Sequence, residues 1–293
     1  MTDNAMTVWS GRVTTEGDEL FYEVRGAGAP LLMIPPAGGD GWQYSFVADI
    51  LADEYKVITF DRRANGRSTM NKPQNFEVSQ QSRDALAVIH AVGEQSAYVF
   101  GNSSGAVFAL DMVKTQPQAV KAAIIHEAPV TGLLPDARKW QRFFANVYAT
   151  GFSLGTSIAA MQFMLGAQLP MGALIKATGP TNAHRKQCKE PYLSDQTATE
   201  VLVKMELVPV TNYMPDIERM KQNGTKTVIA ISEWGLKKKT WYVRSMQILA
   251  EQLGCDRVTF PGHHGSFMDL PVEWAGKLRE VLHNVQKVEY AEK

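Results

Sequence analysis

Residues 98–109 read YVFGNSSGAVFA, an apolar and aromatic run, then a cluster of glycine and serine, then a second apolar run. The first run, with Ala97, has the character of a strand buried on both faces, and the second continues through Leu110 to Val113 as a buried helix. Gly101-Asn102-Ser103-Ser104-Gly105 between them fits G-x-S-x-G, the sharp strand-to-helix turn that presents a nucleophilic serine. Glycines at both ends let strand and helix approach closely around a strained Ser103 at the helix N-terminus. The amide of Ser104 then points toward a developing oxyanion. Ser104 also has a hydroxyl, but the second glycine follows it at once, so it falls at the wrong place in the turn.

Working outward, that strand is one of a series. PLLMIP (30–35), KVITF (56–60) and KAAIIH (121–126) are similar short apolar runs, and between them lie helical stripes such as Ala85, Val88, Ile89 and Val92. Strand and helix in alternation predict a mainly parallel sheet. Upstream, residues 8–25 alternate around Glu16-Gly17-Asp18 as an antiparallel hairpin. The alternation stops after Ile125. Residues 136–221 are rich in methionine, aromatics and alanine, are broken by Gly151, Gly155, Gly166, Pro170, Gly179 and Pro180, and read as several short helices. It resumes with KTVIAIS (226–232), a helix with the stripe Tyr242, Met246, Leu249 and Leu253 closed by Gly254, RVTF (257–260), and a last helix with Pro271 in its first turn. The expected architecture is an α/β fold with an eight-stranded sheet flanked by helices. Residues 1–135 and 222–293 form its two parts, and 136–221 form a helical lid inserted after strand 6.

A chain of 293 residues with 45% hydrophobic content can fill a sizeable core. Thirty basic and thirty acidic residues give a formal net charge of zero, which offers no long-range attraction for nucleic acid or an anionic membrane. No apolar run approaches the ~20 residues of a membrane span, and residues 1–20 lack a leader pattern. Cys188 and Cys255 share no motif and read as free thiols. The expectation is a cytoplasmic protein, monomer or homodimer, acting on a small molecule.

A serine hydroxyl needs an adjacent base, usually an imidazole set by a carboxylate. Of six histidines, His90, His184 and His283 lie in helical patterns, whereas His263 and His264 lie in FPGHHGSFMDLP, after the last strand, where a loop at the sheet's carboxyl edge can reach the serine. Two carboxylates end strands on the same rim: Glu127 in IIHEAPV and Glu233 just past KTVIAIS. Both keep the chain order nucleophile, acid, histidine.

From about residue 18 to 134 and again from 226 to 285 the chain resembles the α/β-hydrolases. GNSSGA, HEAP, FDRRANGRS and FPGHHGSF are similar to segments of a bacterial and fungal group that includes the zearalenone lactonases. The resemblance implies several assignments. Counting back from Pro271, which opens the last helix, favours His264 over His263 as the base. The family's usual acid position, three residues beyond Ser232, holds Gly235, which cannot serve. In the lactonases the acid is the glutamate of a His-Glu-x-Pro segment, which implies Glu127 here. The family's usual His-Gly pair after strand 3 is replaced by Pro35-Pro36. Proline has no N–H, so the second oxyanion donor becomes Ala37, together with Ser104. Asp61 and its arginines are expected to hold loops together. VTNYMPD (210–216) looks like the return from lid to core in the wider group.

The expected activity is hydrolysis of a carboxylic ester or lactone through a Ser103-His264-Glu127 triad and an acyl-enzyme, with no cofactor and no metal. Metal, phosphate-loop and dinucleotide motifs do not occur in the sequence. Gly38 and Asn102, with Trp140, Phe144, Tyr148, Met161, Phe163 and Met164 of the lid, are candidate substrate contacts. The same scaffold also serves C–C hydrolysis, perhydrolysis or slow-turnover ligand reception.

Overall fold

The computed structural model describes residues 7–70, 76–186, 188 and 190–291. Eight strands form one sheet: β1 (Val8–Thr15), β2 (Asp18–Arg25), β3 (Ala29–Ile34), β4 (Tyr55–Phe60), β5 (Ala97–Asn102), β6 (Val120–His126), β7 (Lys226–Ser232) and β8 (Arg257–Phe260). Their spatial order is β1-β2-β4-β3-β5-β6-β7-β8. β1 and β2 are antiparallel to their neighbours, and β4, β3, β5, β6, β7 and β8 run parallel. The β1–β2 hairpin turns on Glu16 and Gly17 with φ of 47° and 88°, the left-handed pair that a two-residue hairpin needs.

Helices cover both faces. The core helices before the insertion are α1 (Ser45–Leu51), α2 (Val78–Ala91) and α3 (Ser104–Thr115). Between β6 and β7 come α4 (Ala137–Ser153), α5 (Thr156–Gly166), α6 (Met171–Arg185), α7 (Asp195–Val201), a π-helical turn Leu202–Glu206, α8 (Leu207–Thr211) and α9 (Ile217–Asn223). The chain ends with α10 (Glu233–Lys238), α11 (Trp241–Leu253) and α12 (Pro271–Ala291). Alternate residues of the central strands feed two cores. Leu32, Ile34, Val99, Ala123, Ile125 and Ile229 pack with α2, α3 and α11, and Leu31, Met33, Phe100, Ile124 and Val228 pack with α1 and α12. Both sets are fully or almost fully buried, which is why these strands read as continuous apolar runs.

α4 and α6, at 17 and 15 residues, are longer than the broken sequence suggested. Gly151 stays inside α4 and Pro180 inside α6, so neither ends a helix, whereas Gly166 is the last residue of α5. α9 begins within 136–221 but runs two residues past it and packs on α3 and α11 of the core. Among the described residues no single helix is long and apolar enough to cross a membrane. Cys188 and Cys255 are free thiols.

Candidate active site

The turn between β5 and α3 is built by exclusion. A Cβ on Gly101 would stand 2.3 Å from the Gly105 carbonyl oxygen, and one on Gly105 would stand 2.2 Å from that of Ile34. Only glycine at both places lets β5, α3 and β3 close to this distance. Ser103 at the apex has φ 55° and ψ −120°. That conformation costs a non-glycine residue on the order of 1–3 kcal/mol, and the surrounding packing must hold it. The Ser103 amide donates to the His126 carbonyl (2.9 Å), tying the turn to β6. Ser103 is half-buried while its neighbours Asn102, Ser104 and Gly105 are buried, so its hydroxyl side is the open one. The Ser104 amide is at the first helical position, where helix geometry gives it no internal acceptor.

Glu127 follows the last residue of β6 and has φ 52°, a second strained position on the same rim. Its amide donates to the Ala230 carbonyl of β7 (3.1 Å), and its side chain is completely buried. Oε1 accepts from the Ser232 amide (2.8 Å) and hydroxyl (2.6 Å), and Oε2 lies 2.6 Å from His264 Nδ1. Burial alone pushes this carboxyl up. The His126 and His264 imidazoles and the Ser232 hydroxyl outweigh burial and hold Glu127 down at about 2. An ionised carboxylate only accepts, so Nδ1 of His264 carries a proton and Nε2 is the nitrogen left to act as a base. The Tyr242 ring lies 5.2 Å from the His264 ring and helps fix its plane.

The competing residues are placed elsewhere. Glu233 is exposed at the start of α10, and its carboxylate accepts the Gly262 amide (3.3 Å). His263 has both ring nitrogens engaged, Nε2 with Asp269 (3.1 Å) and Nδ1 with the Gly265 amide (3.2 Å). His90 is exposed on α2, and His283 on α12 pairs with Glu54. Asp61 binds Arg67 and the Gly41 amide, bracing the loop after β3 as a structural residue.

Ser103, Glu127 and His264 line one narrow cavity of about 40 Å³, with Ala37 and Ser104 in its wall. The rest of that wall is largely apolar, including Phe144, Phe163, Leu202, Leu207 and Trp241. Of the other candidate contacts, Gly38 and Met164 line a second cavity rather than this one. Asn102 lies beneath the turn, its Oδ1 2.5 Å from His126 Nδ1. Trp140 stacks on Trp241 from behind (5.1 Å between rings) and donates to Asp136. The buried stripe of α4 is Trp140, Phe144, Val147 and Gly151, which leaves Tyr148 exposed against Phe152. Met161 is exposed on α5.

Three participants were not singled out from sequence. Ser232 holds the carboxylate, Tyr242 faces the imidazole, and His126 sits fully buried between Asn102 and His264. The one available signal was position, because Ser232 and His126 are the last residues of adjacent strands.

A carboxylate, an imidazole and a serine beyond the carboxyl ends of β6, β8 and β5 are an arrangement found in one large class of α/β proteins. The sequence profile of the α/β hydrolase fold matches residues 29–154. YraK, an uncharacterized hydrolase of Bacillus subtilis strain 168, is 28% identical over 287 residues, covering 96% of this chain and 99% of its own. A zearalenone hydrolase of Bionectria ochroleuca is 28% identical over 155 residues, covering 49% of this chain and 58% of its own. A thermophilic esterase from Thermogutta terrifontis superposes with a TM-score of 0.72 at 17% identity, covering 94% of this chain and 99% of the other. The chain has the α/β-hydrolase fold.

Proposed function

We propose that this protein is a serine hydrolase of carboxylic esters or lactones, with Ser103 as nucleophile, His264 as base and Glu127 as the acid that orients it. The observation that carries this reading is the 2.6 Å contact of the buried Glu127 carboxylate with His264 Nδ1, on a histidine that shares its cavity with the strained Ser103. In the first step Nε2 of His264 takes the proton of Ser103 Oγ as the oxygen attacks the substrate carbonyl. The Ala37 and Ser104 amides receive the oxyanion. The imidazolium, stabilised by Glu127, returns the proton to the leaving alcohol, and an acyl-serine remains. Water, activated by the same Nε2, attacks the acyl carbon and releases the acid. For a lactone, acid and alcohol leave as one opened molecule.

A cavity of about 40 Å³ holds a few water molecules and no more, so the substrate enters when the helical insertion over it moves. In this reading residues 136–221 act as a lid, and the apolar wall from Phe144 to Leu207 favours a substrate with an apolar portion. The hydrolase and esterase among the relatives are consistent with ester chemistry. The test is turnover of p-nitrophenyl esters of graded chain length alongside fluorophosphonate labelling of Ser103. A folded protein that neither turns over any ester nor takes the label would sink the proposal.

A further inference from the structure

The cavity over Ser103 has a larger neighbour. A cleft of about 530 Å³ opens between the loop after β3 and helices α5, α6 and α7, and it shares two wall residues, Ala37 and Leu202, with the cavity over Ser103. Ala37 is the oxyanion donor in the reading above. A carbonyl held there stands at the junction of the two spaces, with one substituent directed into each.

The two spaces differ in chemistry. The inner one is walled mainly by aromatic and aliphatic side chains, whereas the outer one presents the amides of Gln43 and Asn182 and the hydroxyls of Thr178 and Thr199. Its charged groups are Asp40, Arg185 and Asp195, and Arg185 pairs with Asp195 at 2.5 Å. Two carboxyls against one guanidinium leave no positive excess to attract an anion. Asp40 is buried, takes the Trp42 amide on Oδ1 (2.7 Å) and the Tyr192 hydroxyl on Oδ2. Burial and the nearby Asp61 push its carboxyl up to about 8, so near neutrality it adds little negative charge against a neutral ligand. Thr178, Thr199 and Gln43 donate to the carbonyls of Ile175, Asp195 and Ala37, so the cleft offers their acceptor oxygens together with the Asn182 amide, a set that matches the donors of a hydroxyl or amide group and that an alkyl chain would not use.

We propose that this outer cleft is a subsite for the hydroxyl- or amide-bearing half of an amphipathic ester or lactone, whose apolar half occupies the cavity over Ser103. The proposal rests on the hydrolase reading, and its test separates the two. Three esters of equal length are compared by acid release at constant pH: an all-alkyl ester, the same acyl group on a dihydroxypropyl alcohol, and a dihydroxyacyl group on an alkyl alcohol. p-Nitrophenyl acetate serves as a small reference ester. One of the two hydroxylated esters is expected to exceed the all-alkyl ester in kcat/KM by about tenfold or more, the scale on which a hydrogen-bonding site discriminates. Asn182→Leu combined with Thr199→Val is expected to bring that ratio toward one. The ratio is the readout because a generally damaged enzyme loses both rates alike. An all-alkyl ester as the best substrate, or a polar preference that survives the double variant, would overturn the subsite while leaving the hydrolase intact. If no ester, p-nitrophenyl acetate included, is turned over and Ser103 takes no fluorophosphonate, the hydrolase reading and the subsite fall together.

Discussion

A Cβ on Gly235 would stand 2.8 Å from Oε1 of Glu127. The glycine at the family's usual acid position therefore does more than fail to supply a carboxylate, because it leaves the room that the carboxylate from β6 occupies. The Gly235 amide donates to Ser232 Oγ (3.1 Å), whose own proton goes to Glu127 Oε1, so α10 and the acid are held by one chain of hydrogen bonds. Glu127→Gln is expected to lower kcat by about 10⁴, the scale of acid replacement in serine-protease triads, with the fold retained because the shape and the Ser232 bonds survive. Glu233→Gln is expected to stay near the wild-type rate. Gly235→Ala, which also crowds Val243 at 2.7 Å, is expected to slow turnover by displacing the carboxylate. Steady-state kinetics on the three variants, each checked by circular dichroism, decide the matter. A severe Glu233 variant beside a mild Glu127 variant would reverse the assignment.

Ser103→Ala is expected to abolish fluorophosphonate labelling and leave the fold intact, since the residue is half-open and its loss removes one hydroxyl from the cavity wall. Ser104→Ala is expected to label, because in the proposed mechanism its amide, not its hydroxyl, serves the oxyanion. Mass spectrometry of the labelled peptide checks both, and an adduct on Ser104 would show that the nucleophile had been placed one residue too early.

The architecture was legible because two periodicities announce it, apolar runs for the central strands and i, i+3, i+4 stripes for the core helices. The turn at Ser103 was legible for the same reason, since its glycines stand at fixed spacing between a strand and a helix. The acid was harder. Glu127 and Glu233 both follow strands on one rim, so the residues alone left the two open; the likeness of HEAP to the lactonase segment pointed to Glu127, and the burial and direction of each side chain, neither present in sequence, set the two apart in space. The pocket was least legible. Trp140, Phe144 and Tyr148 are all aromatic on one helix, yet Phe144 faces the cavity, Trp140 packs behind it, and Tyr148 lies outside the buried stripe. Composition says that such residues gather, and helix rotation decides which of them meets a ligand.

Arg62, grouped with Asp61 as a loop residue, connects two parts of the site. Its Nη2 donates to the Pro36 carbonyl (2.9 Å), directly before Ala37, and to both carboxylate oxygens of Glu206 (3.0 Å each) at the end of the π-helical turn. Both side chains are about 1% exposed. Glu206→Ala leaves a buried guanidinium uncompensated and is expected to cost about 3–5 kcal/mol in urea unfolding. Arg62→Met with Glu206→Leu is expected to cost much less, because no charge is stranded. The paired variant still loses the brace on Pro36, so a folded double variant with reduced kcat is the expected outcome. Wild-type kcat in that variant would show that Pro36 and Ala37 need no support from Arg62.

His126 makes the site acid-sensitive through folding. Burial drives its imidazole down from the ordinary 6.5 to about 4, with the Glu127 charge opposing and His264 reinforcing the shift. As pH falls, the unfolded chain takes up the proton first, so this contribution is intact above 6.5 and is lost progressively down to about 4. The full loss is about 3 kcal/mol, from 1.36 kcal/mol for each tenfold change in proton affinity. Glu127, held at about 2, has the same sign but acts only at lower pH, below the ordinary carboxylate value of 4.5. Asp40 has the opposite sign, because its folded form keeps a proton that the unfolded chain releases, and its contribution is lost as pH rises from 3.8 to about 8. The two trends overlap, so the wild-type profile alone does not isolate His126. Urea unfolding of wild type and His126→Gln at intervals from pH 7 to pH 4 does. The variant is expected to be less stable at pH 7, having lost a packed ring and its bond to Asn102, and the gap is expected to narrow by about 3 kcal/mol toward pH 4. A gap that stays constant across this range would mean that His126 titrates alike in the folded and unfolded chain.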